Sequence, residues 1–405
     1  MGRYLCSRES NDGVELMKKV AIINSIYPFG STGRICSDMQ AFLAQNGFDA
    51  MCFHGEGCRS GKSNVRISSL PFKCMNALAT RLDDGAGLHS FLATKRLIRM
   101  LDAYQPDLFI VHNLHAYYLN IEMFLGYLSK KGLPVIFVLH DCWNFTGHCS
   151  YFDFVGCEEW KTGCGSCPQL RAYPASWFVD QSRRNYALKK ELFGEIEKKV
   201  FVSPSNWLAD LARQSFLSPG KIVTINNGID TNVFRKPISR SGEKRKKTIL
   251  CVANIWDSRK GIADITKLSA LLPNDFHILV VGKTKKPFRL NGKITHIKHT
   301  NDAAQLAGLY SSASVFFNPT YQDNYPTVNL EALSCGCPVV CYKVGGACEM
   351  LDPQYGVEKG DYQSAFALMK QIVEEENYIF PDTSKFDKKF QYAAYLKIIE
   401  DLLEQ

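Results

Sequence analysis

The sequence predicts an α/β protein built from two doubly wound units, in which helices cover both faces of a mainly parallel β-sheet. Three observations support this prediction. Short β-branched runs alternate with longer amphipathic stretches along nearly the whole chain, as they do in parallel sheets. The alternation restarts after the charged segment 240–247, so the strands form two series. The length of 405 residues suits two or three domains of about 150 residues each.

The first series of elements begins at Val20 and the second near Thr248. The predicted strands of the first series are 20–26, 48–54, 108–112, 134–140 and 200–203, and its predicted helices include 33–45 and 120–131. The second series has predicted strands at 249–253, 277–281, 315–318 and 339–342, and predicted helices at 262–272, 303–312, 327–334 and 388–403. Doubly wound sheets bind ligands beyond the carboxyl ends of their strands, so we expect a ligand cleft there, between the two units.

Composition excludes several classes of protein. Apolar residues make up 46% and charged residues 22% of the chain, a balance that disordered chains, coiled coils and collagen-like fibres lack. No run approaches the roughly 18 apolar residues of a membrane-spanning helix. The first residues carry no apolar secretory segment, so we expect a cytoplasmic protein with reduced cysteines. The net charge of +8 suits an anionic ligand or a membrane surface.

Two loops contain residues suited to phosphate. Gly30 and Gly33 open a predicted helix directly after a strand, and free amides at a helix N-terminus stabilise anions. A tight turn at a strand–helix junction explains the same glycines, because neither the dinucleotide fingerprint nor a P-loop is complete. Arg259 and Lys260 follow another strand and suit a diphosphate, although a solvated basic turn is the simpler interpretation.

The segment 318–338 carries the strongest pattern in the chain. A predicted strand ends in a loop with Asp323, and Glu331 follows inside a helix whose other residues are mostly apolar. A carboxylate in such a largely buried helix needs hydrogen-bond partners, and the vicinal hydroxyls of a ribose would supply them. A structural glutamate paired with a buried basic residue is the alternative.

Taken together, these segments resemble the retaining, nucleotide-sugar-dependent glycosyltransferases of family 4. The residues that carry the resemblance are Gly30 to Arg34, Lys260-Gly261, Asp323 with Glu331, and Gly345-Gly346 with Glu349. Asn226 to Asp230 is similar to the family's interdomain signature, and Leu139 to Cys149 is similar to a stretch of bacterial members that build capsules, exopolysaccharides or colanic acid. The resemblance covers nearly the whole chain from about Lys18. It implies the GT-B architecture, in which two Rossmann-like domains face each other across a cleft.

The resemblance also implies a domain organisation. Residues 18–227 would form an N-terminal, acceptor-side domain with a cysteine-rich insertion at 142–175. Residues 228–385 would form the nucleotide-sugar-binding domain. We expect residues 1–17 to be a disordered leader and the helix within 386–405 to pack back on the N-terminal domain.

The family pattern implies roles for individual residues. Glu331 would bind the ribose, Asp323 the hydroxyls of the donor sugar, and Lys260 the diphosphate. His115 is similar to the family's histidine near the transferred sugar, so the expected catalytic residues are His115, Asp323 and Lys260. The other expected donor-binding residues are Gly30, Gly33, Asn254, Arg259, Thr327, Val328 and Glu331, and the other candidates at strand ends are His112, His140 and Asp141.

Two positions depart from the family pattern. Asp323 replaces the usual glutamate and is one methylene shorter, which would change its reach toward the donor sugar. Ala253-Asn254 replaces a Gly-Arg pair, so one phosphate cation is missing from its usual place. Arg259 is the hypothesised substitute.

The implied reaction moves a sugar from a nucleotide-diphosphate sugar to a glycan or lipid-linked acceptor in surface polysaccharide synthesis. The acceptor hydroxyl would attack from the leaving group's face, and the departing phosphate would take its proton. Lys260, Arg259 and helix amides would stabilise the charge that develops on the diphosphate. The resemblance implies no organic cofactor, and because no Asp-x-Asp motif stands in a suitable place, a divalent metal at the diphosphate need not be invoked.

Four of the 15 cysteines, here called the cysteine cluster, are close in sequence: Cys149, Cys157, Cys164 and Cys167. The last two form a Cys-Gly-Ser-Cys hook that offers two thiolates to one tetrahedral metal, and a metal would hold an irregular insertion that has little core. The sequence therefore predicts a structural zinc site, with reduced thiols or an adventitious disulfide as the alternatives. The remaining cysteines, such as Cys251 and Cys335, stand in apolar contexts and are expected in the core.

Two other classes of protein are alternatives for this sequence. A dinucleotide-binding oxidoreductase needs a glycine fingerprint, which this chain lacks. That class would also leave the pair Asp323 and Glu331 unexplained. A zinc-containing nucleic-acid-binding protein would need stacking aromatics among its basic residues, which this sequence lacks, so no nucleic-acid partner is expected. The basic residues at 244–247 and 283–298, with the helix around 95–99, would instead hold the protein peripherally at an anionic inner leaflet. An ordinary solvated face is the alternative for each basic cluster, and an amphipathic element packed on the core is the alternative for the helix.

Overall fold

The computed structural model describes residues 17–237, 247–284 and 292–404, and the chain divides into two compact units. Of these described residues, unit 1 contains those up to 204, together with 208–225 and those from 392 onward, and unit 2 contains those in 205–207 and 226–391. The predicted leader, apart from Met17, lies outside the described residues, as do most of the charged segment 240–247 and the basic residues at 285–289.

Unit 1 contains a parallel sheet of seven strands in the order β3-β2-β1-β4-β5-β6-β7. The strands are β1 (Lys19–Tyr27), β2 (Asp49–Gly57), β3 (Asn64–Arg66), β4 (Leu108–Val111), β5 (Val135–Val138), β6 (Lys199–Ser203) and β7 (Lys221–Thr224). The helices are α1 (Gly30–Gln45), α2 (Leu70–Asp83), α3 (Phe91–Tyr104), α4 (Ile121–Lys131), α5 (Ser182–Gly194) and α6 (Asn206–Gln214), whose first two residues belong to unit 2.

Unit 2 contains a parallel sheet of six strands in the order β10-β9-β8-β11-β12-β13. The strands are β8 (Lys247–Trp256), β9 (Phe276–Thr284), β10 (Ile294–Ile297), β11 (Val315–Asn318), β12 (Val339–Tyr342) and β13 (Gly356–Val357). The helices are α7 (Ile262–Leu271), α8 (Ala303–Ser312), α9 (Thr327–Ser334), α10 (Tyr362–Glu375) and α11 (Lys388–Leu403), which continues into unit 1.

The central strands are buried because helices cover both faces of each sheet. All residues of β4, β5, β11 and β12 are buried, and their sequences are continuous apolar runs rather than alternating ones. Cys251 and Cys335 lie in the core of unit 2, as the sequence predicted, whereas Cys74 on α2 is exposed and Cys58 and Cys348 are only half-buried. In unit 1 the last part of α11 joins the core through Tyr392 and Tyr395, and the Tyr392 hydroxyl donates to the carbonyl of Ile35 at 3.4 Å.

In each sheet the direction in which the chain winds reverses at one strand, the switch point. The position of these two strands explains where the candidate residues lie. β1 lies between β2 and β4, and β8 lies between β9 and β11. The chain therefore winds in opposite directions on the two sides of β1 and of β8, and the loops that follow the adjacent strands diverge. A crevice forms at each such point, at the carboxyl ends of the strands. The predicted glycine loop, basic turn and acidic loop all follow these strands.

The fold class predicted from the sequence is confirmed, because both units are doubly wound parallel sheets. The helix predicted around 95–99 lies within α3, whereas several other elements were not predicted, among them α2, α5 and α10. The strand predicted at 134–140 ends at Val138, so His140 stands in the following loop. Within the described ranges, no helix has both the length and the hydropathy that crossing a bilayer requires.

Candidate active site

The crevice of unit 2 forms where the loop after β8 meets the loop after β11. Gly261 ends the first loop with a φ of +75°, and a Cβ there would lie 2.0 Å from the carbonyl oxygen of Pro319. The amide of Tyr321 donates to the carbonyl of Arg259 at 2.7 Å. These backbone contacts bring the basic turn and the acidic loop side by side.

Lys260 and Asp323 form an ion pair that joins the two loops. Burial alone would raise the pKa of the Asp323 carboxyl, but the charges of Lys260 and Arg259, with hydrogen bonds from Lys260 and the Asn324 amide, outweigh burial and lower it. Arg259 also donates from Nη1 to the carbonyl of Gln322 at 2.8 Å. The site therefore combines one ionised carboxylate with two cations.

The acidic loop packs closely against Gly345 and Gly346. A Cβ on Gly345 would lie 2.2 Å from the carbonyl oxygen of Asp323, and one on Gly346 would lie 1.9 Å from that of Asn324. The Gly346 amide donates to the Asp323 carbonyl at 3.2 Å. Only glycine permits this approach, so the glycine pair fixes the backbone that carries Asp323.

Glu349, the acidic residue after the glycine pair, fixes the start of a helix. Its two carboxylate oxygens accept the backbone amides of Asn206 at 2.9 Å and Trp207 at 2.7 Å. A carboxylate at this end satisfies amides that the helix leaves free and interacts favourably with the helix dipole. The contact with the first turn of α6 therefore explains the structural role of Glu349.

The helix that follows the acidic loop carries three of the predicted donor-binding residues. Thr327 and Val328 form the first turn of α9, and no side chain caps this fully described helix, so its amides suit an anion. Glu331 is half-buried, less enclosed than its apolar neighbours predicted, and the Tyr310 hydroxyl donates to its Oε2 at 3.0 Å. Asn254 is exposed near the end of β8, where the register of the sheet is irregular.

In unit 1, the glycines of the predicted glycine loop lie in the first turn of α1, shortly after the end of β1. Gly30 has a φ of +70°, and a Cβ on Gly33 would lie 3.1 Å from the carbonyl oxygen of Ile26. No side chain caps α1, which is described in full. Backbone geometry therefore explains both glycines, and the uncapped amides are also suited to an anion. The structure is consistent with both interpretations of this loop.

The buried His112, which follows β4, and the half-buried His140, in the loop after β5, form a stacked pair. Nδ1 of His112 lies 2.9 Å from Nε2 of His140, and their ring centroids are 5.2 Å apart. Burial lowers the pKa of His112 well below its ordinary value and lowers that of His140 to about 4. Both rings are therefore neutral at physiological pH, and they are poor candidates for a positive charge.

His115 belongs to a second network at the same strand ends. It is 8% exposed, its Nε2 lies 2.9 Å from Oδ2 of Asp141, and its Nδ1 lies 3.0 Å from the hydroxyl of Tyr173. The structure thus brings together His112, His115, His140 and Asp141, the four candidates predicted at strand ends. Sequence reasoning missed Tyr173, because it lies far along the chain and belongs to no motif.

The cysteine cluster contains free thiols that line one cavity. Cys149 is buried and the other three are half-buried. Among the described histidine, cysteine, aspartate and glutamate side chains, no three are grouped closely enough to hold a metal ion as they stand. The predicted zinc site is therefore not confirmed as a preformed centre.

The fold is the one expected of the protein class that the sequence resembles, and two models of known protein families match this chain. Residues 34–233 match the model of the glycosyltransferase family 4, and residues 246–374 match that of the glycosyl transferases group 1. Together the two models cover most of the chain. The chain belongs to the family 4 glycosyltransferases, as the sequence predicted.

Individual relatives are similar over part or all of their length. WcaC of Escherichia coli (strain K12), named as a colanic acid biosynthesis glycosyl transferase, is 30% identical over 263 residues, which span 62% of this chain and 63% of WcaC. Sucrose-phosphate synthase from Thermosynechococcus elongatus has the same fold, with a TM-score of 0.68 at 14% identity, over 96% of this chain and 99% of that one. Anabaena HepE in complex with UDP has a TM-score of 0.62 at 14% identity, over 95% of this chain and 100% of HepE.

Proposed function

We propose that this protein transfers a sugar, with retention of its anomeric configuration, from a nucleotide-diphosphate sugar to an acceptor glycan in surface polysaccharide synthesis. The observation that carries the proposal is the Lys260–Asp323 ion pair in the crevice of unit 2, with Arg259 beside it. An ionised carboxylate and two cations in one crevice suit a ligand that has both sugar hydroxyls and phosphates. The colanic acid role named for WcaC supports the polysaccharide, and UDP bound to HepE supports the nucleotide.

The donor would occupy the loops after β8 and β11. The diphosphate would contact Lys260, Arg259 and the uncapped amides at Thr327 and Val328, because cations and a helix N-terminus both stabilise anions. Asp323 would accept hydrogen bonds from the donor sugar. Glu331, whose Oε2 accepts from Tyr310, would bind the ribose hydroxyls, and the glycine loop of unit 1 would add amides for phosphate or acceptor.

The chemistry would depend mainly on stabilising the leaving group. Lys260 is already paired with Asp323, so a diphosphate would share this cation and receive more of its charge as the bond to the sugar breaks. The departing phosphate would take the proton of the attacking hydroxyl. His115, held by Asp141 and Tyr173, would contact the transferred sugar.

The acceptor would be lipid-linked, and the protein would meet it at an anionic membrane surface. α2 turns its polar residues Asn76 and Thr80 inward, while Leu70, Phe72 and other large apolar side chains of this helix are 49–58% exposed. α3 buries Leu97 and exposes the predicted basic residues Lys95, Arg96 and Arg99. Exposed apolar side chains and exposed cations are both typical of proteins that bind anionic lipid surfaces.

A donor screen tests the proposed function. Purified protein is melted in the presence of UDP, GDP, ADP and their sugars, and release of nucleoside diphosphate and the anomer of the product are measured. At least one nucleotide should raise the melting temperature, because a ligand that binds only the folded state stabilises it by mass action. Lys260→Ala should abolish the shift, and Lys370→Ala, at an exposed lysine of α10, should preserve it. If no nucleotide stabilises the wild-type protein, the proposal is wrong.

A further inference from the structure

The segment 139–181 between β5 and α5 has almost no regular structure, although its residues 142–150 are all buried. Its only helical pieces in this described range are three short 3-10 turns, at Trp143–Phe145, Asp153–Val155 and Glu159–Lys161. Loops of this length without helices or strands are uncommon unless something else holds them. Its aromatic contacts, such as Phe152 stacked on Trp160 at 4.8 Å, form only a small core.

The four residues of the cysteine cluster share one cavity, and their sulfurs take part in several hydrogen bonds. All four residues line the same cavity, and Cys149 and Cys167 are joined by a thiol hydrogen bond. Three of the sulfurs also accept backbone amides: Gly147 donates to Cys164 at 3.1 Å, Glu159 to Cys157, and Gln169 to Cys167. Amides aimed at sulfur stabilise thiolates, and such second-layer hydrogen bonds surround metal-binding cysteines.

Gly147 is placed so that its amide can reach Cys164. A Cβ at this position would lie 2.8 Å from the Cβ of Cys164 and 2.0 Å from the carbonyl oxygen of Ser182. A larger residue would therefore push the cysteine away. This close contact explains why glycine occupies position 147, in the Thr-Gly-His-Cys sequence.

Two buried polar groups beside the cavity lack what a metal centre would supply. His148 also lines the cavity, its Nδ1 bonds to Asp84, and its buried Nε2 has no hydrogen-bond partner among the described residues. Lys189 is 1% exposed and donates to the carbonyls of Trp143 and Thr146 at 2.7 and 2.9 Å. Burial lowers the pKa of Lys189 to about 7, and negative charge on Cys164 and Cys149 would act in the opposite direction. A buried nitrogen with no described partner and a buried amine whose charge is disfavoured by burial would both be stabilised by an anionic centre nearby.

We propose that the cysteine cluster binds one structural zinc ion as four thiolates. A tetrathiolate zinc centre carries two net negative charges, which would balance Lys189 and accept hydrogen bonds from the surrounding amides. The thiols are not at ligand distances as described, so their side chains rotate inward when the metal binds. Zinc then holds the loop from which Asp141 and Tyr173 reach His115. The proposal does not depend on glycosyl transfer.

Metal analysis of the full-length protein tests the proposal. Protein expressed without added zinc and passed through gel filtration should contain about one zinc per chain by mass spectrometry. Removal of the metal with a chelator should lower the melting temperature, and added Zn²⁺ should restore it. The double variant Cys164→Ser with Cys167→Ser should lose the metal. Cys74→Ser, at an exposed cysteine outside the cluster, should keep it.

Cobalt substitution covers the case in which the double variant does not fold. Wild-type protein loaded with Co²⁺ should show the intense visible bands and the thiolate charge-transfer band of a tetrahedral centre with four sulfurs. Metal-free wild-type protein with a melting temperature that neither zinc nor chelator changes would overturn the proposal. A cobalt spectrum with fewer sulfur ligands, or a double variant that keeps its zinc, would overturn the assignment of the four cysteines.

Discussion

Nε2 of His115 lies 2.9 Å from Oδ2 of Asp141, and this contact decides which nitrogen of the ring donates a hydrogen bond. Oδ1 of the same carboxylate accepts the amide of Trp143 at 2.9 Å. Burial alone would raise the pKa of Asp141, but His115 and the Trp143 amide outweigh burial and lower it. An ionised carboxylate can only accept, so Nε2 of His115 carries a proton, and Nδ1 lies 3.0 Å from the hydroxyl of Tyr173.

Asp141→Asn should lower kcat more than it raises KM. The amide keeps the size of the side chain but removes the charge that orients the ring, and hydrogen bonds to charged groups contribute about 1.5–3 kcal/mol. We therefore expect a loss of about tenfold to a hundredfold in kcat, measured with the donor identified in the screen. Asp102→Asn, at an exposed aspartate paired with Lys131, should leave kcat unchanged. Equal losses in both variants would contradict a positioning role for Asp141.

Stability should fall as the pH falls from 6.5 toward 4, because of the stacked histidine pair. Burial lowers the pKa of His112 and takes that of His140 to about 4, whereas a histidine in the unfolded chain binds its proton near pH 6.5. In this window the unfolded chain binds more protons than the folded one, so acid favours unfolding. Each histidine contributes up to about 1.4 kcal/mol per pH unit.

The comparison of wild type with His140→Gln isolates this effect. His148 acts in the opposite direction, because hydrogen bonding and charge from Asp84 outweigh burial and raise its pKa. That contribution is common to both proteins and cancels in the difference. Melting temperatures recorded from pH 7.5 to 4.5 should fall less steeply in the variant. Parallel curves would show that the pair does not control acid stability.

Local sequence patterns predicted the residues that lie at strand ends. Asp323, Lys260 and His115 each follow an apolar run, and strand ends of one sheet necessarily meet at one edge. Tyr173 could not be found in this way, because only the path of the long loop brings it to His115. The contact of Arg259 with the Gln322 carbonyl likewise depends on how two loops pack, which spacing does not encode.

The orientation of α2 shows a second limit of sequence patterns. The helix was missed in the sequence, and its apolar residues would be expected to face a core. In the structure, polar Asn76 is buried through hydrogen bonds to Ser90 and the Tyr117 carbonyl, and the apolar side is exposed. An amphipathic pattern gives two faces but does not say which one faces the solvent. Contacts made elsewhere in the chain decide this.

Asp323→Glu should separate binding of the nucleotide from choice of the sugar. The variant restores the residue that is usual in the family and extends the carboxylate by one methylene. Because the charge beside Lys260 and Arg259 is kept, affinity for the nucleoside diphosphate should change by less than about threefold. Relative kcat/KM among donor sugars should change by about tenfold, the usual effect of one misplaced methylene or hydrogen bond. An unchanged donor preference would contradict contact between Asp323 and the sugar.

Gly261→Ala should destabilise the basic turn. The new Cβ would lie 2.0 Å from the Pro319 carbonyl oxygen, and the backbone has a φ of +75°. Strain of this kind costs about 1–3 kcal/mol and would move Lys260 away from Asp323. Gly308→Ala is the matched control, because Gly308 lies within α8 with no atom within 4 Å of the new Cβ. That change should stabilise the protein by about 0.5–1 kcal/mol. Chemical denaturation measures both, and a neutral Gly261→Ala would contradict the packing of the two loops.

Phe72→Glu should weaken binding to anionic vesicles if α2 is the lipid-facing surface. The Phe72 side chain is 51% exposed, and burying an aromatic or aliphatic side chain in an apolar phase contributes about 1.5–3 kcal/mol. Co-sedimentation with vesicles containing phosphatidylglycerol should therefore show affinity reduced by about tenfold to a hundredfold. Lys95→Ala should reduce it by about fivefold, because each cation near an anionic surface contributes about 1 kcal/mol.

The dependence of vesicle binding on ionic strength, together with a matched control variant, distinguishes binding through this surface from nonspecific binding. Ile379→Glu introduces the same charge at a residue of unit 2 that is 56% exposed, and it should leave vesicle binding unchanged. Raising the ionic strength should weaken binding of wild type and of Phe72→Glu alike, because salt screens the cations of α3 in both. It should have a smaller effect on Lys95→Ala. If all three variants bind vesicles as wild type does, α2 and α3 do not face the membrane, and the acceptor must reach the protein by another route.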